Sequence, residues 1–201
     1  MIRIGVVGCG RILNAHLQAY KALRALGVDD FRITALVARR ESDARMFLRR
    51  GEGPPPRAPV LPPESGDPLA APHTYLSDFQ GVDDVEIYTD YREMIERGAV
   101  DAVNDFTTLA LHHQVGEAAL SAGKHLLTQK PLAVSVRAGR RLVDLAGKRR
   151  LTLGVFENVR QMRAARAVHW AVERGLIGRP QMVLIGSLGG PWSPDRVVAD
   201  T

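Results

Sequence analysis

At 201 residues and 45% hydrophobic content, the chain can bury one full core, with room for one domain or one domain and part of another. No apolar run approaches the ~20 residues of a membrane span. The single cysteine, Cys9, excludes an internal disulfide and any cysteine-based zinc site. The net charge of +5 does not read as a nucleic-acid surface: the arginines are scattered in short pairs (Arg39-Arg40, Arg49-Arg50, Arg140-Arg141, Arg149-Arg150), and aromatics, at 5%, do not interleave with them.

The sequence alternates strand-like and helix-like segments. Ile2–Val7 is a strand with branched residues on both faces, as a strand buried between helix layers requires. A helix is expected over Asn14–Leu26, a strand over Arg32–Ala38, and a helix over Ser42–Arg50 with Ser42 as its N-cap. Gly51–Gly81 holds eight of the twelve prolines, so it is neither helix nor central strand. It is expected as a surface insertion, partly extended and mobile. Val85–Tyr88 is a strand, Tyr91–Arg97 a helix, Ala102–Phe106 a strand and His113–Ala122 a helix. His125–Thr128 and Leu151–Phe156 are strands, with helices over Val134–Ala146 and Met162–Arg174. Such alternation predicts an α/β fold, a doubly wound parallel Rossmann sheet covered on both faces. The dinucleotide-binding domain is expected over 1–160. Residues 161–201 then read as a linking helix and, at Gln181–Leu188, the first strand of an incomplete α/β second domain.

Two segments carry chemistry. In Gly8-Cys9-Gly10-Arg11-Ile12, directly after the first strand, Gly8 permits a tight turn and Gly10 lets the backbone approach a phosphate. The N–H groups of the following helix then meet the pyrophosphate with the helix dipole behind them. Leu13 stands where a small residue usually lets helix and strand pack closely, and Cys9 reads as a space-filler. Farther along, the strand His125–Thr128 ends on Gln129-Lys130-Pro131, a lysine held beside a proline. A doubly wound sheet brings both strand ends to one crevice. The second strand ends in Ala38-Arg39-Arg40, with no acid at the place where NAD-selective sites accept from the ribose. Arg39 and Arg40 suit a 2′-phosphate, so NADP is favoured over NAD as cofactor, although Glu41 offers a carboxylate one residue on.

The ordered set of motifs resembles the Gfo/Idh/MocA family of NAD(P)-dependent oxidoreductases. The resemblance rests on Gly8–Ile12 with Ala15-His16, on Tyr88–Met94, on Val100–Val103 with Thr107 and Leu111–His113, on Gly123-Lys124-His125 leading to Lys130-Pro131-Leu132, and on Gly175–Pro180. It departs from the family in Gln129 for Glu, in Thr108 for Pro and in Leu13. The resemblance implies hydride transfer between NAD(P) and a carbinol or carbonyl carbon of a sugar, cyclitol or similar polyol. It implies Lys130 as the catalytic donor to the substrate oxygen, with Thr107, His112 and Gln129 beside the cofactor and Asn158 and Arg160 at the substrate. The family's second half, with a histidine that acts beside the lysine, is not in this sequence. The chain therefore reads as stopping partway through the protein, with a homo-oligomer expected if a complete second domain exists. Alternatives are a non-catalytic NAD(P)-binding sensor or partner subunit, or a hydrolase or lyase using transient oxidation. No metal, nucleic-acid or membrane partner is expected. The opening strand follows no basic leader, so a cytoplasmic location is expected.

Overall fold

A computed structural model describes residues 1–59 and 61–184. It divides into two units, Met1–Phe156 and Glu157–Thr201. In the first, six strands form one sheet: β1 (Ile2–Val7), β2 (Phe31–Val37), β3 (Glu86–Tyr88), β4 (Ala102–Asp105), β5 (His125–Thr128) and β6 (Leu153–Val155). All pairs are parallel, and the spatial order is β3-β2-β1-β4-β5-β6. The chain reverses direction across the sheet between β1 and β4, the switch point at which doubly wound sheets bind ligands.

Alternation along the strands sorts side chains onto two cores. On one face Val6, Ile33 and Leu36 pack with Leu13 and Leu17 of α1 (Leu13–Ala25) and with Phe47 and Leu76. On the other, Val7, Val37 and Val103 pack with Met94 of α3 (Tyr91–Arg97), Val115 and Leu120 of α4 (Leu109–Ser121), and Leu142 of α5 (Val136–Arg149). Leu13, the residue in place of a small one, is fully buried as the first residue of α1. The helix thus accommodates a large side chain by turning it into the core.

Several boundaries differ from the sequence expectation. The second helix is short: α2 spans Glu41–Arg45, Arg40 occupies its N-cap position, and Ser42 does not cap it. The cause lies in the Pro-rich segment. The carbonyls of Met46, Phe47 and Leu48 accept from His73 Nε2 (3.0 Å), Leu76 N (2.8 Å) and Ser77 N (3.0 Å), so they are diverted from a helical ladder. The insertion is itself structured, with 3₁₀ turns at Pro63–Ser65, Pro68–Ala70 and Leu76–Asp78. Helix α4 begins four residues before the expected His113, and α5 runs three residues past the expected Ala146 from an N-cap at Ser135, whose Oγ accepts from Ala138 N at 3.2 Å.

The second unit contains α6 (Asn158–Gln161) and α7 (Arg163–Glu173), separated at Met162, whose extended backbone interrupts the helix. The strand expected over Gln181–Leu188 is not formed at 181–184, and 185–188 lie outside the described residues.

Candidate functional site

The crevice is built at the C-terminal ends of β1, β2, β4 and β5. Gly8 leaves β1 with φ +103°, donates its N–H to Val37 O at 2.9 Å, and has no room for a side chain: a Cβ there would lie 2.6 Å from the Phe106 carbonyl oxygen. This close approach locks the turn against the end of β4. Two residues on, a Cβ on Gly10 would meet nothing within 4 Å among the described residues other than its chain neighbours. The turn therefore presents open space at Gly10, the cradle that a pyrophosphate needs. Cys9 is buried, its Sγ 3.6 Å from Val37 O, and burial pushes its thiol up to about 12, so it acts as packing. Ile12 packs against the core, and Arg11 donates to Ala58 O.

At the end of β2, Arg39 and Arg40 are exposed. Arg40 pairs with Asp43 through Nε at 3.1 Å and Nη2 at 3.3 Å. Glu41 is held by Arg45, whose Nε lies at 2.9 Å. The one acid that competes for a ribose hydroxyl in the sequence is thus paired one helical turn away.

The end of β4 carries a residue the sequence reading missed. Asp105 is fully buried; its Oδ1 accepts from Thr107 N (2.9 Å) and Thr107 Oγ1 (2.6 Å), and its Oδ2 accepts from Thr128 Oγ1 (2.8 Å). Its main-chain oxygen also accepts from Gln129 N at 2.9 Å. One carboxylate therefore shapes the loop after β4 and braces the end of β5. The signal in the sequence was the polar pair Asn104-Asp105 inside an otherwise apolar strand, since a buried carboxylate needs fixed donors. His112 is buried, with Nδ1 2.8 Å from Pro131 O and Nε2 3.1 Å from Thr107 O. Both ring nitrogens face main chain, so His112 ties the β4 loop to the segment that carries Lys130. Lys130 is exposed, its N–H donates to Gln129 Oε1 at 3.2 Å, and the Lys130–Pro131 bond is cis.

His16 lies between Phe106 (ring centroids 4.0 Å apart, stacked) and Phe156 (4.3 Å). The Gln129 amide donates to His16 Nε2 at 2.8 Å. Burial lowers the His16 pKa to about 4, so the ring is neutral, with its proton on Nδ1. A glutamate at 129 would have no proton to give this nitrogen.

The lowered pKa has a measurable consequence. The folded state holds His16 neutral, whereas the unfolded chain binds its proton below about pH 6.5, so stability falls as pH drops from about 6.5 towards 4. The loss is about 2–3 kcal/mol when complete. His73, also lowered by burial, acts in the same direction. Urea unfolding near pH 7 and near pH 4.5 is expected to show the drop, and His16→Gln to reduce it. An equal drop in both proteins would refute the assignment.

A parallel sheet ordered 3-2-1-4-5-6 with a glycine turn at its switch point defines a dinucleotide-binding Rossmann unit. Residues 72–157 match the family model described as "Oxidoreductase family, NAD-binding Rossmann fold". Over these residues the chain resembles the Gfo/Idh/MocA family. It is 39% identical over 92 residues to a 1,5-anhydro-D-fructose reductase from Ensifer adhaerens, covering 46% of this chain and 28% of the relative. It is 27% identical over 186 residues to a myo-inositol 2-dehydrogenase from Thermotoga maritima, covering 92% of this chain and 45% of the relative. The fold superposes on a scyllo-inositol dehydrogenase from Lactobacillus casei, solved with bound NAD(H) and scyllo-inositol, with a TM-score of 0.61 at 20% identity, covering 89% of this chain and 42% of the other. The chain thus spans less than half the length of these relatives. Asn158 and Arg160, the sequence candidates for substrate contact, lie on α6 in the second unit. Among the described residues no group of histidine, cysteine and acidic side chains forms a metal site, and no helix is long and apolar enough to cross a membrane.

Proposed function

We propose that this chain is the cofactor-binding part of an NAD(P)-dependent oxidoreductase. It would move hydride between the nicotinamide and a carbinol or carbonyl carbon of a sugar, cyclitol or similar polyol. The observation that carries the reading is the open cradle at Gly10, on the same sheet edge as the Lys130 segment. The names of the relatives, an anhydrofructose reductase and inositol dehydrogenases, support polyhydroxylated ring substrates.

The bound nicotinamide supplies the hydride chemistry. The residues of the chain do the rest. Main-chain N–H groups of the Gly8–Ile12 turn hold the pyrophosphate. Thr107, oriented by Asp105, lines the nicotinamide end. Lys130 donates from its ammonium to the substrate oxygen and stabilises the negative charge that develops there. Gln129, oriented by His16, and His112, through the Thr107 and Pro131 carbonyls, position Lys130. Asn158 and Arg160 bind substrate. The protein would work as a homo-oligomer if a complete second domain exists.

NADP is the preferred cofactor in this reading. Ala38 cannot accept from a ribose hydroxyl, Glu41 is held by Arg45, and Arg39 and Arg40 stand at the turn. Titration calorimetry with NADPH and NADH is expected to give tighter binding of NADPH, by about 10-fold or more, the scale of one charge-assisted hydrogen bond. Equal affinities, or tighter NADH, would reverse the preference. Binding of neither would remove the cofactor reading itself.

A further inference from the structure

Thr107 stands beside the glycine turn. Its nitrogen is 3.0 Å from the place a Cβ on Gly8 would take, and the residue before it, Phe106, donates its N–H to Val7 O at 2.7 Å. The loop after β4 is therefore pinned against the end of β1. In this sheet order the β1–β2–β3 half takes the adenosine, so the nicotinamide half of a dinucleotide faces the ends of β4 and β5. Thr107 is half-buried there, and its polar groups are held. Its N–H and its hydroxyl both point at Asp105 Oδ1, at 2.9 and 2.6 Å, and its carbonyl oxygen lies 3.1 Å from His112 Nε2.

The backbone fixes the direction of these bonds. An amide N–H can only donate, so Asp105 Oδ1 is an acceptor. The Thr107 hydroxyl, at 2.6 Å from that same oxygen, then gives its proton to it, at a distance usual for a hydroxyl donating to a carboxylate. Among the described residues, the other acceptor this hydroxyl reaches is Thr108 O, at 3.4 Å. Asp105 is fully buried and held from behind, since its Oδ2 accepts from Thr128 Oγ1 at 2.8 Å. A threonine hydroxyl carries one proton and two lone pairs. With the proton committed to Asp105, Oγ1 has only lone pairs left to offer a ligand, and the group it meets must be a donor.

We infer that Asp105 is a positioning residue that sets Thr107 Oγ1 as an acceptor for the carboxamide N–H2 of the nicotinamide. The inference rests on the cofactor reading above and adds to it a determinant of the ring substituent that the site takes. The carboxamide is the donor-bearing group of the ring. An acceptor aimed before the ligand arrives costs no reordering on binding. Holding the carboxamide also fixes the rotation of the ring, and with it the face of C4 that is turned to the substrate.

The test is calorimetric titration of the full chain and its variants with NADPH and NADH, with the 3-acetylpyridine analogue of each, and with ADP-ribose. The analogue carries a methyl ketone in place of the amide and so has no donor; ADP-ribose has no ring. The parent is expected to bind the carboxamide ligand about 10-fold more tightly than the acetyl ligand, the scale of a hydrogen bond whose acceptor is left unpaired. Thr107→Val and Asp105→Ala are expected to bring the two ligands within about 2-fold of each other, with ADP-ribose changed by less than about 3-fold. Asp105→Asn is expected to keep most of the preference. Its amide oxygen still accepts from Thr107, and its N–H2 donates to Thr128 Oγ1, a hydroxyl that can accept as well as donate. Urea midpoints establish which variants fold. If Asp105→Ala does not, the pair Asp105→Asn and Thr107→Val decides: preference kept in the first and lost in the second is the expected result, and any other pair overturns the inference. A parent without the preference, a Thr107→Val variant that retains it, or ADP-ribose weakened as much as the dinucleotides would also overturn it and leave the cofactor reading standing. Failure of the parent to bind the dinucleotides and ADP-ribose alike would overturn both.

Discussion

Gly10→Val is expected to lower NADPH affinity by at least ~100-fold while leaving the fold in place. Among the described residues, a Cβ at this position meets no atom beyond its chain neighbours within 4 Å, and the backbone does not occupy the left-handed region, so the substitution costs the folded chain little. The same open space is where the pyrophosphate must come against main-chain N–H groups. A branched side chain there displaces the anion from a site where several charge-assisted bonds act together. Gly8 would make a poor probe of binding: its φ of +103° and the Phe106 carbonyl at 2.6 Å from a would-be Cβ mean that substitution disrupts the β1–β4 junction first. Calorimetric titration together with urea unfolding separates the two effects. Parent-like affinity in a folded Gly10→Val variant would show that the pyrophosphate does not lie over this turn.

Lys130→Met is expected to leave cofactor affinity within a few fold and to cut turnover by roughly 100-fold or more, the scale of a lost proton-transfer or oxyanion-type donor. The measurement needs a protein that carries the family's second domain, since this chain spans less than half of its relatives' length. The position suits the substitution. Lys130 is exposed beyond the end of β5, and its backbone is held by Gln129 Oε1 and by the Asp105–Thr128 bond rather than by its own side chain. Methionine keeps the length of the stem and removes the ammonium. Unchanged steady-state turnover would take the donor role away from Lys130.

Three layers of information contributed to the site, and they were unequally legible. Local pattern sufficed for the sheet: buried apolar strands separated by amphipathic helices specify a parallel doubly wound fold, and the glycine turn after β1 and the lysine after β5 fall where that topology joins them. Composition identified the insertion as non-helical from its prolines but not where it docks. Docking depends on main-chain bonds between residues about 30 apart, such as Leu76 to Phe47, which no local pattern records. Those same bonds ended α2 early, a tertiary override of helical propensity.

The sequence by itself determined the order of the elements, the glycine turn, the lysine at the strand end and the basic character of the β2 turn, because each depends on residues adjacent in the chain. Only the tertiary structure decided which side chains hold those features in place. Asp105 reaches Thr128 across 23 residues, Gln129 reaches His16 across 113, and Arg57 reaches Cys9 across 48. A buried carboxylate, a neutral histidine and a bridging guanidinium each need a partner of complementary donor or acceptor character at about 3 Å. That requirement is met by strands and turns brought together in space, so it becomes visible only once the sheet has closed around the crevice.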